Sequence, residues 1–110
     1  MNIKYGYKKA SGVVVKLELL EDSIVYHCGT KYRTNKARVI GFYSNDYEKL
    51  DNIYCVGSDW DENFLYKINR ISEVHDFDTN DHLCWGNGIH FFETFEEAAN
   101  YTSNSTLFCL

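Results

Sequence analysis

The sequence predicts one α+β domain over residues 1–110, mainly a twisted antiparallel sheet with a single short helix near the C-terminus, about 94–103. Three observations predict it. Val13, Val15, Leu17 and Leu19 alternate with Lys16 and Glu18, the period of a strand with one face on a core. Nine Tyr and seven Phe lean the chain toward half-buried strands. Thr94 stands three residues before Glu97, the capping-box spacing, ahead of the apolar set Phe95, Ala98, Ala99 and Tyr101. A chain of 110 residues holds one core rather than two.

In order along the chain, residues 13–19 form the clearest strand and residues 24–27 resume it before a turn at Gly29. Residues 36–43 read as the next strand, β-branched and aromatic in its later half. A polar loop follows, then the short apolar run 53–57 and an acidic turn at 58–63. Residues 64–68 and 71–74 are two further strands, and Asn69-Arg70 between them suggests a hairpin. A second acidic loop spans 76–81, and Ile89-His90-Phe91-Phe92 is the last strand. Glu96 and Glu97 suit the first turn of the helix that follows. With no proline in the chain, the turns fall to Gly, Asn, Asp and Ser. The apolar tail 107–110 is expected to pair into the sheet or dock on the core.

The net charge of −5 disfavours sequence-general nucleic-acid binding, because an acidic surface repels phosphate. One local exception is the run 31–38, with Lys31, Arg33, Lys36 and Arg38 and no acid. It either offers a dock for an anionic small molecule or acidic partner, or simply balances the acidic remainder. No apolar stretch approaches the roughly 18 residues of a membrane span, and the N-terminus has no signal-peptide core. The expected location is cytoplasmic, the host cytoplasm if a phage or virus encodes the chain. Cys28, Cys55, Cys84 and Cys109 are accordingly expected as buried thiols, although spacing leaves pairing and metal binding open.

Chemistry-bearing residues cluster toward the C-terminal half. His82, Cys84 and His90 are zinc-type ligands at a spacing unlike a zinc knuckle, and the expectation is no metal and no cofactor. Cys84 with His90 or His75 has the elements of a nucleophilic pair, but nothing in the spacing places them within reach. Gly86-Asn87-Gly88 can supply positive φ and close backbone approach, hence an anion nest. Arg33, Arg38, Trp85, Asn87 and His90 then form a candidate ligand-binding set for a nucleotide-like anion. The competing reading makes the glycines a tight turn and Trp85 a core residue. The acidic loops lack the glycine and glutamate of a calcium loop, and their aromatics Trp60 and Phe77 are candidate partner-docking anchors.

The order of motifs carries a resemblance. Residues 14–22 read VVKLELLED, residues 32–39 YRTNKARV, residues 64–68 FLYKI and residues 74–78 VHDFD. The run 84–101, CWGNGIHFFETFEEAANY, completes the match. This resembles a small domain of unknown function, of GIHFF type, seen in large DNA viruses, phages and bacteria, often C-terminal to pentapeptide repeats. Leu20 replaces the family's proline and Tyr32 its cysteine, so any metal or disulfide that relatives build on that cysteine is lost here. The resemblance implies a fold and a viral or mobile-element origin; residues 1–110 depart from it in carrying no pentapeptide array, and the domain is expected to act alone. It implies no reaction.

The function expected is non-catalytic: occupation of a host protein by an acidic, aromatic-rich surface, for instance in counter-defence by inhibiting a CRISPR effector. The alternative is a nucleotide or cyclic-nucleotide sponge using the Arg33 set. A weaker one is an enzyme on nucleotide or ADP-ribose-like substrates. Neither membrane nor direct nucleic-acid binding is expected, and oligomeric state is left open.

Overall fold

The computed structural model describes residues 3–101. Among them the chain forms β1 (Tyr5–Ala10), β2 (Val13–Leu19), β3 (Val25–Cys28), β4 (Lys31–Thr34), β5 (Lys36–Tyr43), β6 (Cys55–Gly57), β7 (Leu65–Lys67), β8 (Ile71–Glu73), β9 (Ile89–Phe92) and α1 (Phe95–Asn100). Seven strands make one antiparallel sheet in the order β3-β4-β9-β1-β2-β5-β8, and β6 pairs with β7 alone. The predicted α+β class holds.

The sheet is curled because the chain forces it to be. β4 passes to β5 through the single residue Asn35, yet β9, β1 and β2 lie between them in the sheet. A flat sheet would separate those strands by about 19 Å, four spacings of about 4.8 Å. Two Cα steps span only about 7 Å. Asn35 is therefore a corner at which both edges of the sheet meet. Its N–H donates to Ile24 O just before β3, and its carbonyl accepts from Val74 N–H just after β8. A bulge adds bend, since Lys16 faces Gly41 while Leu17 faces Val39, leaving Ile40 extra.

Alternation assigns the two faces. Ala10, Val15, Leu17, Leu19, Tyr32, Ala37, Val39, Phe42, Ile89 and Phe91 point inward, and Tyr66 of β7 closes the cluster. Gly6 is glycine because Phe91 lies where a Cβ would stand, 2.2 Å from its ring. On the outer face α1 covers β1, with Tyr7 edge-on to Phe95 and Lys9 Nζ donating to Ala99 O at 3.0 Å. The helix starts at the predicted cap: Thr94 Oγ1 accepts from Glu97 N–H, as in a capping box, and the Glu97 carboxylate reaches back to accept from the Thr94 hydroxyl. It ends at Asn100, short of the expected 103; residues 102–103 and the apolar tail lie outside the described residues.

Two strand assignments need correction. β1 and β4 carry no strand signal in the reading above, yet β1 is central to the sheet. The turn at Asn69 exists, with φ 63°, but β7 and β8 do not form the expected hairpin ladder. Asn69 N–H donates to Val39 O, and Val39 N–H donates to Arg70 O, so the turn docks on β5. β8 then pairs with β5 while β7 pairs with β6.

Candidate functional site

Arg33 organises the candidate site. It is buried on the outer face of β4, opposite His90 of β9, and residues 76–88 fold over it. Its guanidinium donates to four backbone carbonyls of that loop: Leu83 from Nε, Asp78 and Asn87 from Nη1, and Asn80 from Nη2. The rings of Tyr26 and Phe77 each lie 5.0 Å from its central carbon. Planarity and several donors in a fixed fork suit arginine to this work. Carbonyls and π-faces thus stabilise a buried cation with no carboxylate among those partners.

The glycines serve the same packing. Neither Gly86 nor Gly88 has positive φ, which among the described glycines belongs to Gly12 and Gly29. A Cβ on Gly86 would stand 2.8 Å from the Arg33 guanidinium carbon, and one on Gly88 would stand 2.9 Å from the Phe77 ring. Close approach, rather than left-handed backbone, is what requires them. Gly86 and Asn87 turn their carbonyls inward, to His90 and Arg33 respectively. His90 Nε2 lies 2.9 Å from Gly86 O, an atom that only accepts, so Nε2 carries the proton. Burial, then the charge of Lys31, push the imidazole down to about 3, so the ring is neutral; its Nδ1 has no hydrogen-bond partner among the described residues.

The loop is also pinned covalently. Cys28, at the end of β3, and Cys84 form a disulfide across 56 residues with Cα atoms 5.5 Å apart. This corrects the expectation of buried thiols: two cysteines are paired and half-buried, and Cys55 is free but exposed. Cys109 lies outside the described residues. Cys84 thus presents no thiolate to attack anything.

One wall of a cleft of about 480 Å³ is made by this loop, through Asp76, Asn87 and Gly88. Asn87 Nδ2 donates to the backbone and side chain of Asp76, tying the two ends of the loop together at the wall. The opposite wall is the 58–64 turn, whose Ser58 N–H donates to Phe64 O and whose Phe64 N–H donates to Asp61 O. Trp60 stands on that turn, 67% exposed. The turn is fixed to the β1–β2 connection by Ser11, which donates to Asp59 and to Gly57 O. Tyr66 forms the floor, its ring near Phe64 and under Lys8 Nζ, 5.2 Å from the centroid. Burial lowers Lys8 to about 8 against the opposing charge of Asp59. The lining holds Asp61, Glu73 and Asp76 and no lysine or arginine.

Residues 2–98 match the model of a family of unknown function, DUF5758. The chain belongs to that family. It is also 33% identical over 96 residues to the uncharacterized protein L223 of Acanthamoeba polyphaga mimivirus, an alignment covering 80% of this chain and 61% of that protein. The chain thus spans about 61% of the relative's length. A domain of unknown function with a relative in a large DNA virus is what the motif order implies. No solved structure matches.

In this DUF5758 chain the sequence-predicted site residues separate into three places. Arg33, Asn87 and His90 converge around Gly86, with the donors of Arg33 directed at carbonyls. Arg38 stands apart on β5, beside Glu18 at 3.8 Å and donating to Asn69 O at 3.1 Å. Lys36, from the same cationic run, pairs with Asp22 at 2.7 Å, so ion pairs within the fold engage much of that run. Trp85 is 63% exposed and therefore not the core residue of the competing reading. Phe77 packs on Tyr26 and Arg33, whereas Trp60 opens on the cleft. Glu73 and Asp76 were missed as cleft residues, since only the fold brings them to Trp60. No group of three metal-binding side chains occurs among the described residues, and none of their helices is long and apolar enough to cross a membrane.

Proposed function

We propose that this protein is a non-catalytic binding module that holds a basic segment of a partner protein in the Trp60 cleft. The observation that carries the reading is the lining: an exposed indole and the carboxylates of Asp61, Glu73 and Asp76 around an aromatic floor, with no lysine or arginine among them. The electron-rich face of indole attracts the cation of an arginine or lysine, and carboxylates set the sign of the partner. The overall charge of −5 steers the same class of partner. Both walls are held by hydrogen bonds within the protein, so the site is preorganised and loses little entropy on binding.

The mimivirus relative favours a host protein as that partner, blocked at a basic face. Inhibition of a defence effector is one form such occupation takes. The alternative, a nucleotide site on Arg33, Arg38, Trp85, Asn87 and His90, draws less support. Arg33 already faces four carbonyls and Arg38 lies on another strand.

Calorimetric titration with an arginine- and lysine-rich peptide, against its glutamate-substituted counterpart, tests the reading. The basic peptide is expected to bind, to weaken steeply with salt, and to lose at least about ten-fold on Trp60→Ala or Glu73→Gln, the scale of a hot-spot contact. Equal binding by the acidic peptide, or no effect of both substitutions, overturns it.

A further inference from the structure

A second cavity, of about 500 Å³, lies on the opposite side of the sheet and does not depend on the reading above. Tyr7 and Lys8 are successive residues of β1, so their side chains leave opposite faces. Lys8 reaches Tyr66 in the cleft floor, and Tyr7 reaches Phe95 beside α1. The cavity is bordered by the rings of Tyr7, Tyr47 and Phe95 and by the carboxylates of Asp46, Glu93 and Glu96.

The rings are a set. Tyr7, Tyr43 and Tyr47 all meet the Phe95 ring at steep angles, at 6.2, 6.3 and 4.5 Å, and Tyr47 also stacks on Tyr43 at 5.6 Å. Tyr47 is nevertheless 62% exposed, and its φ of 69° is left-handed, a conformation that crowds the Cβ of a bulky residue. Ser44 holds it there, accepting from Tyr47 N–H with its carbonyl and from Asp46 and Glu48 N–H with its hydroxyl. Asparagine or glycine would fit that backbone better. Neither would put a ring over the cavity.

We infer that this pocket binds the alkylammonium group of a lysine, unmodified or methylated, on a partner polypeptide. Aromatic faces attract a cation through their quadrupoles, and quaternary or methylated ammonium groups are recognised by such rings. The three carboxylates supply the countercharge and repel an anion. The same chemistry already operates next door within the fold, where Lys16 Nζ lies 4.8 Å from the Tyr5 centroid and 5.8 Å from that of Tyr7. A neutral apolar side chain would desolvate the carboxylates without compensating them.

Three peptides identical except for a central lysine, trimethyllysine or norleucine test the proposal by heteronuclear NMR titration of the full chain. Both cationic peptides are expected to bind at least ten-fold more tightly than the norleucine peptide and to shift the signals of Tyr47, Phe95 and Glu96. Tighter trimethyllysine binding assigns the main contact to the rings, and tighter lysine binding assigns it to the carboxylates. Tyr47→Asn, which suits the left-handed backbone, should lower cation affinity at least ten-fold while leaving the melting temperature unchanged or raised. Glu96→Gln, on the helix surface, should also weaken binding, and Trp60→Ala should not. Equal affinity for norleucine, or full binding by both Tyr47→Asn and Glu96→Gln, overturns the proposal.

Discussion

Replacing Arg33 with lysine keeps the charge and removes the fork, which makes it the sharpest perturbation of the loop that walls the cleft. Arg33 makes four hydrogen bonds, at 3.1, 2.5, 3.3 and 2.6 Å, to Leu83, Asp78, Asn87 and Asn80 carbonyls. Bonds to a charged group contribute roughly 1.5–3 kcal/mol each, so their gross sum is roughly 6–12 kcal/mol. Burying the guanidinium costs several kcal/mol in return, which leaves a net of about 3–5 kcal/mol. A lysine ammonium is one point with three donors and cannot reach carbonyls spread around a planar fork. Arg33→Lys should therefore lose about 2–4 kcal/mol, a large share of the roughly 5–15 kcal/mol that holds a domain folded. Urea unfolding measures the total. Hydrogen exchange locates it: the amides of Asp78, Leu83 and Gly86, bonded to Asn87, Asn80 and Leu83, should lose more protection than those of β2 and β5. A loss below about 1 kcal/mol would refute the assignment of Arg33 as the loop's organiser.

Acid should weaken the fold through His90. Its folded value of about 3 lies below the usual 6.5, so the unfolded chain binds the proton first. The contribution is complete above pH 6.5 and is lost progressively as pH falls toward 3. By pH 5 the loss is about 2 kcal/mol, from 1.36 kcal/mol per unit. Urea melts at pH 7 and pH 5 measure it, and His90→Gln should flatten the slope. Reduction of the Cys28–Cys84 disulfide should lower stability by roughly 2–4 kcal/mol, the scale of a link closing a loop of this separation. Dithiothreitol should leave a Cys28→Ser/Cys84→Ser variant unchanged; a wild-type protein equally indifferent to it would contradict the pairing.

Local signals were readable and tertiary ones were not. β2 and α1 are visible because alternation and the Thr94–Glu97 box act within a few residues. β1 is hidden because its inward face is Gly6, Lys8 and Ala10: a glycine shaped by Phe91 and a buried lysine do not look like a core. β4 is hidden by its charges, for Arg33 reads as a solvated cation. The groups that bury it are backbone carbonyls 45 to 54 residues away, which leave no side-chain signature. The turn at Asn69 is local and visible, while the choice of β5 as partner for β8 is made by Val39 across the sheet. In the candidate site, Trp60 could be singled out as an aromatic in an acidic loop. Its companions Glu73 and Asp76 could not, because nothing along the chain says that the two acidic loops face each other.

Mapping by NMR where a basic peptide touches the protein is the most direct measurement. Titrating an arginine- and lysine-rich peptide into labelled protein should shift Trp60, Glu73, Asn87 and Gly88, the two walls of one cleft, and leave Arg38 still. Shifts confined to Trp85 and the Arg33 loop on adding a nucleotide, with none in the cleft on adding the peptide, would contradict it.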